Sequence, residues 1–302
     1  MPGNSMKEFD LIDQIVSILG EQAVGEWVRV GPGDDCSVIA VSPHCEVVSS
    51  IDSLYSGVHF PESAPPELVG YRSMMVSLSD IAAMGAQATY VLINLCLPSE
   101  SFTWALECAK GIKRAAEDSG VFVCGGNIAR GPIGITVSAH GEVPEGKSIL
   151  RSGASVGDSI FVSGCLGGAA SYIRQISSLT YESPHYESLR KAFYEPSSCL
   201  GLLSEVRNKA TSCIDISDGL IQDLGHILDS SDAGGRLSSS LIPVNKGANL
   251  NDALFGGDDY QLLCTSPTQM EGFYRIGEIT QESGILVDER ELSRRGYDHF
   301  LA

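Results

Sequence analysis

The sequence predicts an α/β protein of two domains. Short apolar runs alternate with segments of helical period along the whole chain, and a polar, glycine-bearing break falls at 144–157. With 302 residues, 43% of them hydrophobic, the chain can fill more than one core.

Each element follows from its own pattern. Residues 8–20, EFDLIDQIVSILG, set Phe9, Ile12, Ile15, Val16 and Leu19 at helical spacing and close on Gly20, a C-terminal stop. Strand-like runs follow at 36–41 and 46–52. The stretch PPELVGYRSMMVSLSDIAAMGA opens on prolines and then keeps a helical period. Apolar runs at 89–97 and 133–143 flank a further helix at 101–119. Beyond the break, SIFVSG reads as a strand turning through glycines into the helix GCLGGAASYIRQI. Strands at 212–216, 260–265, 273–279 and 284–288 and a helix at 218–230 complete the second half. Neither half repeats the other closely, and no segment is of low complexity.

Composition excludes several classes of function. No apolar run approaches the roughly 18–20 residues that span a bilayer, and MPGNSMKEFD lacks the basic-then-apolar pattern of a secretory signal. A soluble, cytoplasmic protein without a membrane partner is expected, with residues 1–5 a short addition ahead of a start at Met6. Nine cysteines stand singly, never as C-x-x-C, so neither a zinc site nor a disulfide framework is indicated, and they read as small buried hydrophobes. The net charge of −18 argues against nucleic acid and anionic lipid as partners.

The aspartates are not spread as a solvated surface. They stand beside glycines and apolar runs in GPGDDCSVI, SLSDIAAMGA, DISDGLIQDL and GGDDYQLL. Oxygen donors so grouped suit hard divalent cations, which in turn recruit polyphosphates. Asp34 and Asp35 follow a turn and precede a strand, and Asp52 ends the run EVVSSID, so these carboxylates are expected at loop mouths. Asp80 sits among Leu78, Ile81, Ala82 and Met84, where burial is costly unless the acid is paired or binds metal; a solvated helix-surface Asp is the plainer alternative. Asp215, Ser217 and Asp218 crowd one strand end that becomes a helix start. A helix cap would use only one of them.

GPGDDCSVI, SIDSLYSGVHF, VSLSDIAAMGA, GGNIARGP, RSGASVGD, DISDGLIQDLGHI, GGDDYQLL and the terminal GYDHF occur in the order found in thiamine-monophosphate kinases. The resemblance runs from about residue 6 to the C-terminus, and the ordered set is far more specific than any one motif. It implies an N-terminal mixed α/β domain, 6–145, that binds ATP and metal and forms a homodimer through its sheet. It also implies a C-terminal α/β sandwich domain, 146–302, that completes the nucleotide and acceptor site. The implied reaction is phosphorylation of thiamine monophosphate to thiamine diphosphate by ATP, with several Mg2+ ions and no general base, because a phosphate acceptor has no hydroxyl proton to lose. An enzyme of the same superfamily with another acceptor and a non-catalytic nucleotide-binding protein are the alternatives.

Carried over by position, the resemblance implies metal contacts at Asp35, Ser50, Asp52, Asp80, Asn127, Asp215 and Asp218. It implies ATP contacts at Gly125, Gly126, Arg151 and Ser217, and acceptor contacts at His59, Asp258 and Arg294. Four positions depart from the usual pattern. Asn127 stands where the family has Asp, Ile51 where it has Thr, and Asp258 where it has Glu. Arg294 or Arg295 stands where an aromatic is common. The first two changes are expected in one metal neighbourhood and the last two in the acceptor pocket.

Overall fold

The computed structural model describes residues 8–99, 101–294 and 296, so Arg295 and all of GYDHF except Gly296 lie outside the described residues. The chain divides into two compact units, Met1–Ile81 with Gln87–Glu145, and Ala82–Ala86 with Gly146–Ala302.

The first unit runs α1 (Glu8–Leu19), β1 (Val28–Val30), β2 (Val38–Ile39), β3 (Cys45–Tyr55), α2 (Pro66–Ala83), β4 (Gln87–Leu97), α3 (Phe102–Ser119), β5 (Phe122–Arg130) and β6 (Gly134–Pro144), the last two residues of α2 counting with the second unit. Its main sheet has the order β3-β6-β4-β5, antiparallel except for the parallel β4–β5 pair. Alternation along β4 and β6 sends Val91, Ile93, Leu95, Ile135, Val137 and Ala139 to a buried face. The opposite face carries Val47, Ile51 and Leu92, all exposed. In α1 the buried residues are Leu11 and Leu19, whereas Phe9, expected inside, is 77% exposed. Ile12, Ile15 and Val16 of the expected stripe are partly buried, so only Phe9, at the first turn, departs from it.

The second unit runs β7 (Ser159–Val162), α4 (Gly168–Gln175), α5 (Tyr186–Tyr194), α6 (Leu203–Lys209), β8 (Ser212–Asp215), α7 (Leu220–Ser231), β9 (Gly234–Leu237), α8 (Leu250–Phe255), β10 (Leu262–Ser266), β11 (Tyr274–Thr280), β12 (Gly284–Val287) and β13 (Arg290–Glu291). Its sheet order is β13-β12-β9-β11-β7-β10-β8, with only β12–β9 parallel. One face packs Ile160, Val162, Ile214, Ile276 and Ile279 against Leu220, Leu224, Ile227 and Leu228 of α7. The other packs Phe161, Cys213, Leu262 and Cys264 against Cys199, Leu203 and Val206. Each fully buried aliphatic side chain contributes about 2 kcal/mol, so α7 is held chiefly by this face.

Strands β5 and β9 carry Gly-Gly pairs and do not read as strands. At Gly234 a Cβ would lie 1.7 Å from the Glu282 carbonyl oxygen, so close backbone approach, not turn chemistry, requires the glycine. The run expected as a strand at 36–41 narrows to the two residues of β2.

Candidate functional site

In the first unit, β3 and α2 bring three predicted residues together. The Ser50 hydroxyl donates to Asp80 Oδ2, and the Ser77 hydroxyl, one turn earlier in α2, lies within hydrogen-bonding reach of Asp52 as well as of the Ser73 carbonyl. Burial first, and the Asp80 charge second, push the Asp52 carboxyl up to about 6 against the lowering effect of Ser77. Relative to a solvated aspartate, the charged form there is disfavoured by about 3 kcal/mol. A divalent cation would offset that cost, and the donors present are carboxylate and hydroxyl oxygens, the set that hard cations prefer. Asp80 is half-buried, not on the solvated surface of a helix.

Asn127 is not brought to this group. Its amide nitrogen donates to Asn94 Oδ1 at 2.8 Å, and Asn94 pairs in register with Thr136, which in turn opposes Ser53. Ser53 and Asp52 are consecutive in a strand, so Asn127 lies on the face opposite Asp52. Ile51 occupies that same open face, 66% exposed. Within one chain Asn127 and Ile51 are separated across the sheet by three strand spacings, roughly 14 Å, so a single chain does not form the one metal neighbourhood expected for them. Gly126 has a structural reason of its own, because a Cβ there would lie 2.1 Å from the Ile93 carbonyl oxygen. At Gly125 the nearest atom to such a Cβ is Leu92 Cδ2, at 3.2 Å.

Asp34 and Asp35 are exposed in the loop before β2, where the Asp34 carboxylate accepts the Asp35 N–H at 2.8 Å. His59 Nδ1 accepts the Tyr55 N–H at 3.0 Å, which fixes the neutral ring as the tautomer with its proton on Nε2, a hydrogen-bond donor.

In the second unit, Asp215 ends β8 and is buried, and Ser217 and Asp218 follow in the loop before α7. That loop is held by a residue the sequence reading passed over. Asp223 Oδ2 accepts the N–H groups of Asp218 and Gly219, each at 3.0 Å. Burial, then the Asp218 charge, push the Asp223 carboxyl up to about 7, opposed by the N–H groups it accepts. Ligand atoms of Asp218, Asp223 and His226 lie within 4.8 Å of one another. Asp223 and His226, three apart in DGLIQDLGH and so on one face of the expected helix, were the available signal.

Asp258 lies in the loop between α8 and β10. Its N–H donates to the Ser217 carbonyl at 2.8 Å, and the Tyr260 N–H to the Ile216 carbonyl at 2.8 Å. The Tyr260 hydroxyl donates to Asp258 Oδ1 at 3.0 Å. Asp258 and Tyr260 both adopt left-handed φ, 69° and 49°, a strain that hydrogen bonding on both sides sustains. Between them, buried Asp259 accepts the Gly167 N–H through both oxygens, at 2.9 and 2.8 Å. Asp259 also lines a cavity of about 290 Å3 with Cys165, Lys191, Glu195, Asn245 and Gln261, and no predicted site residue borders it.

Arg151 is exposed in the loop ahead of β7. Arg294 does not stand open to an acceptor. Its guanidinium forms a two-point pair with Asp229, Nη2 to Oδ1 at 2.6 Å and Nη1 to Oδ2, and lies across Gly225 of α7. In place of the expected acceptor contact, the described geometry gives Arg294 an ion pair along α7. Arg295 lies outside the described residues.

Comparisons with known proteins agree on one kinship. Residues 33–143 match the family model of AIR synthase related protein, N-terminal domain. The chain is 33% identical over 300 residues to thiamine-monophosphate kinase of Escherichia coli K12, covering 90% of this chain and 92% of that protein. The crystal structure of thiamine-monophosphate kinase from Stenotrophomonas maltophilia K279a superposes with a TM-score of 0.86 at 31% identity, covering 95% and 98% of the two chains. A structure of AaThiL complexed with AMPPCP and TMP superposes with a TM-score of 0.81 at 30% identity, covering 99% of each.

Proposed function

Because the chain belongs to the thiamine-monophosphate kinase family, we infer that it is an ATP-dependent kinase that phosphorylates thiamine monophosphate to thiamine diphosphate. The observation that carries this is the match along nearly the full length of each partner, including a relative described in complex with AMPPCP and TMP. Incubation with ATP, Mg2+ and thiamine monophosphate, followed by chromatography, should yield thiamine diphosphate. ATP consumption without that product would reject the acceptor.

The chemistry demands little covalent help and much electrostatic help, since one phosphate attacks another. Ser50, Asp52 and Asp80 form the oxygen-donor group we propose for one Mg2+, with Asp35, Asp215 and Asp218 proposed for further ions. Bound Mg2+ would supply neutralisation of phosphate charge. Ser50 orients the Asp80 carboxylate by its hydrogen bond. Ser217, Arg151, Gly125 and Gly126 are proposed to contact ATP, Arg151 by charge and Ser217 by its hydroxyl. His59, donating through Nε2, suits an acceptor phosphate, and Asp258, an acceptor of hydrogen bonds oriented by Tyr260, suits an amino or cationic group. Asn127 and Arg294 are not carried forward in these roles.

A homodimer through the open face of the first unit's sheet is proposed on the exposure there of Val47 and Ile51 of β3 and Leu92 of β4, apolar residues on two strands that flank β6. Light scattering on the wild type and on Ile51→Asp tests it, with a fall to monomer expected for the variant. None of the helices among the described residues is long and apolar enough to cross a membrane, and a cytoplasmic enzyme is the reading that this supports.

A further inference from the structure

We propose that Asp223 is a positioning residue, whose carboxylate fixes the loop that presents Ser217 and Asp218. This rests on the reading of those two as nucleotide and metal contacts. The loop leaves β8 at Asp215 and enters α7 at Leu220, with Gly219 at a φ of 121° as the N-terminal cap. A glycine cap offers no side chain, so the first N–H groups of the helix need acceptors from elsewhere. Asp223, one turn into the helix and only 1% exposed, instead reaches back past that turn and takes the N–H of the cap, Gly219, and that of Asp218 before it, with one oxygen.

Those two N–H groups flank the Cα of Asp218. Turning either peptide would swing the bond that aims the Asp218 side chain. A serine or threonine at the cap would accept N–H groups inside the first turn of the helix and leave the peptides on both sides of Asp218 unheld. The buried arrangement instead constrains the peptides on both sides of Asp218, which is what a residue that must present a ligand atom at a set angle requires.

A direct role is the competing possibility, because Asp218, Asp223 and His226 lie close enough to receive one cation. The two roles differ in what they ask of residue 223. Positioning needs an accepting oxygen, which Asn also provides; cation binding needs the charge.

The experiment compares Asp223→Ala, Asp223→Asn, His226→Ala and Asp218→Asn in the full chain, reading activity against Mg2+ and thermal melting. Asp223→Ala should raise half-saturating Mg2+ about tenfold or more, Asp223→Asn should stay within about threefold of wild type, and His226→Ala should leave the curve in place. A normal Mg2+ curve for Asp223→Ala, or an Asn variant as impaired as Ala, overturns the proposal. An active Asp218→Asn enzyme would instead overturn the underlying reading of Asp218. Should Asp223→Ala fail to fold, amide exchange of the wild type without metal or nucleotide decides. Protection of the Asp218 and Gly219 amides is expected, and exchange at open-loop rates overturns the proposal.

Discussion

The N–H of Asp258 donates to the carbonyl of Ser217 at 2.8 Å, joining two loops separated by some forty residues of sequence. With Tyr260 bonded to Ile216 in the same way, the loop proposed to face the acceptor and the loop proposed to face ATP are hydrogen-bonded backbone to backbone. A change in one is felt in the other without any side chain between them.

The first prediction concerns Tyr260. Its hydroxyl orients the Asp258 carboxylate, and a hydrogen bond to a charged acceptor is worth about 1.5 kcal/mol or somewhat more. Tyr260→Phe should therefore raise KM for thiamine monophosphate roughly tenfold, with kcat changed much less. Steady-state kinetics showing an unaltered KM would remove Asp258 from the acceptor site.

Metal dependence provides the second. Ser50→Ala deletes the hydroxyl that orients Asp80, so half-saturating Mg2+ should rise about tenfold while the melting temperature moves little. Asp80→Asn should lose turnover and still fold. Near-normal rates for Asp80→Asn at ordinary Mg2+ would contradict the proposed cation group.

The third turns on Arg294. Its partner Asp229 is largely exposed, so the pair contributes at most about 1 kcal/mol. Arg294→Ala should lower the melting temperature slightly and leave KM for thiamine monophosphate as it was. A several-fold change in KM with no thermal effect would return Arg294 to the acceptor pocket.

Thiol chemistry supplies the fourth. Cys36 and Cys165 are exposed, whereas Cys108, Cys124, Cys199, Cys213 and Cys264 are buried. Burial raises the Cys108, Cys199 and Cys213 thiols, suppressing the reactive thiolate. Titration with a disulfide reagent at neutral pH should modify Cys36 and Cys165 quickly and the five buried thiols only after denaturation. Rapid loss of all nine in the native state would contradict the packing around β8 and β10.

By itself the sequence determined what local pattern and ordered motifs encode. Helical period and its stops gave α1, α2, α3 and α7 to within a few residues, and the order of acidic and glycine motifs identified the kinship before any coordinate. Alternation did not reveal β5 and β9, because their glycines answer to backbone from distant residues, Ile93 and Glu282, that no local window contains. The tertiary structure alone decided which acids meet. Asp52 and Asp80 are 28 positions apart and come together because strand pleating turns Asp52 toward α2; the same pleat turns Ile51 and Asn127 the other way. Likewise, Arg294 sits in the stretch that motif order assigned to the acceptor, yet its charge found Asp229 across the one helix position, Gly225, without a side chain to keep it away. Sequence spacing fixes which face of a strand or helix a residue occupies, but only packing decides what that face meets.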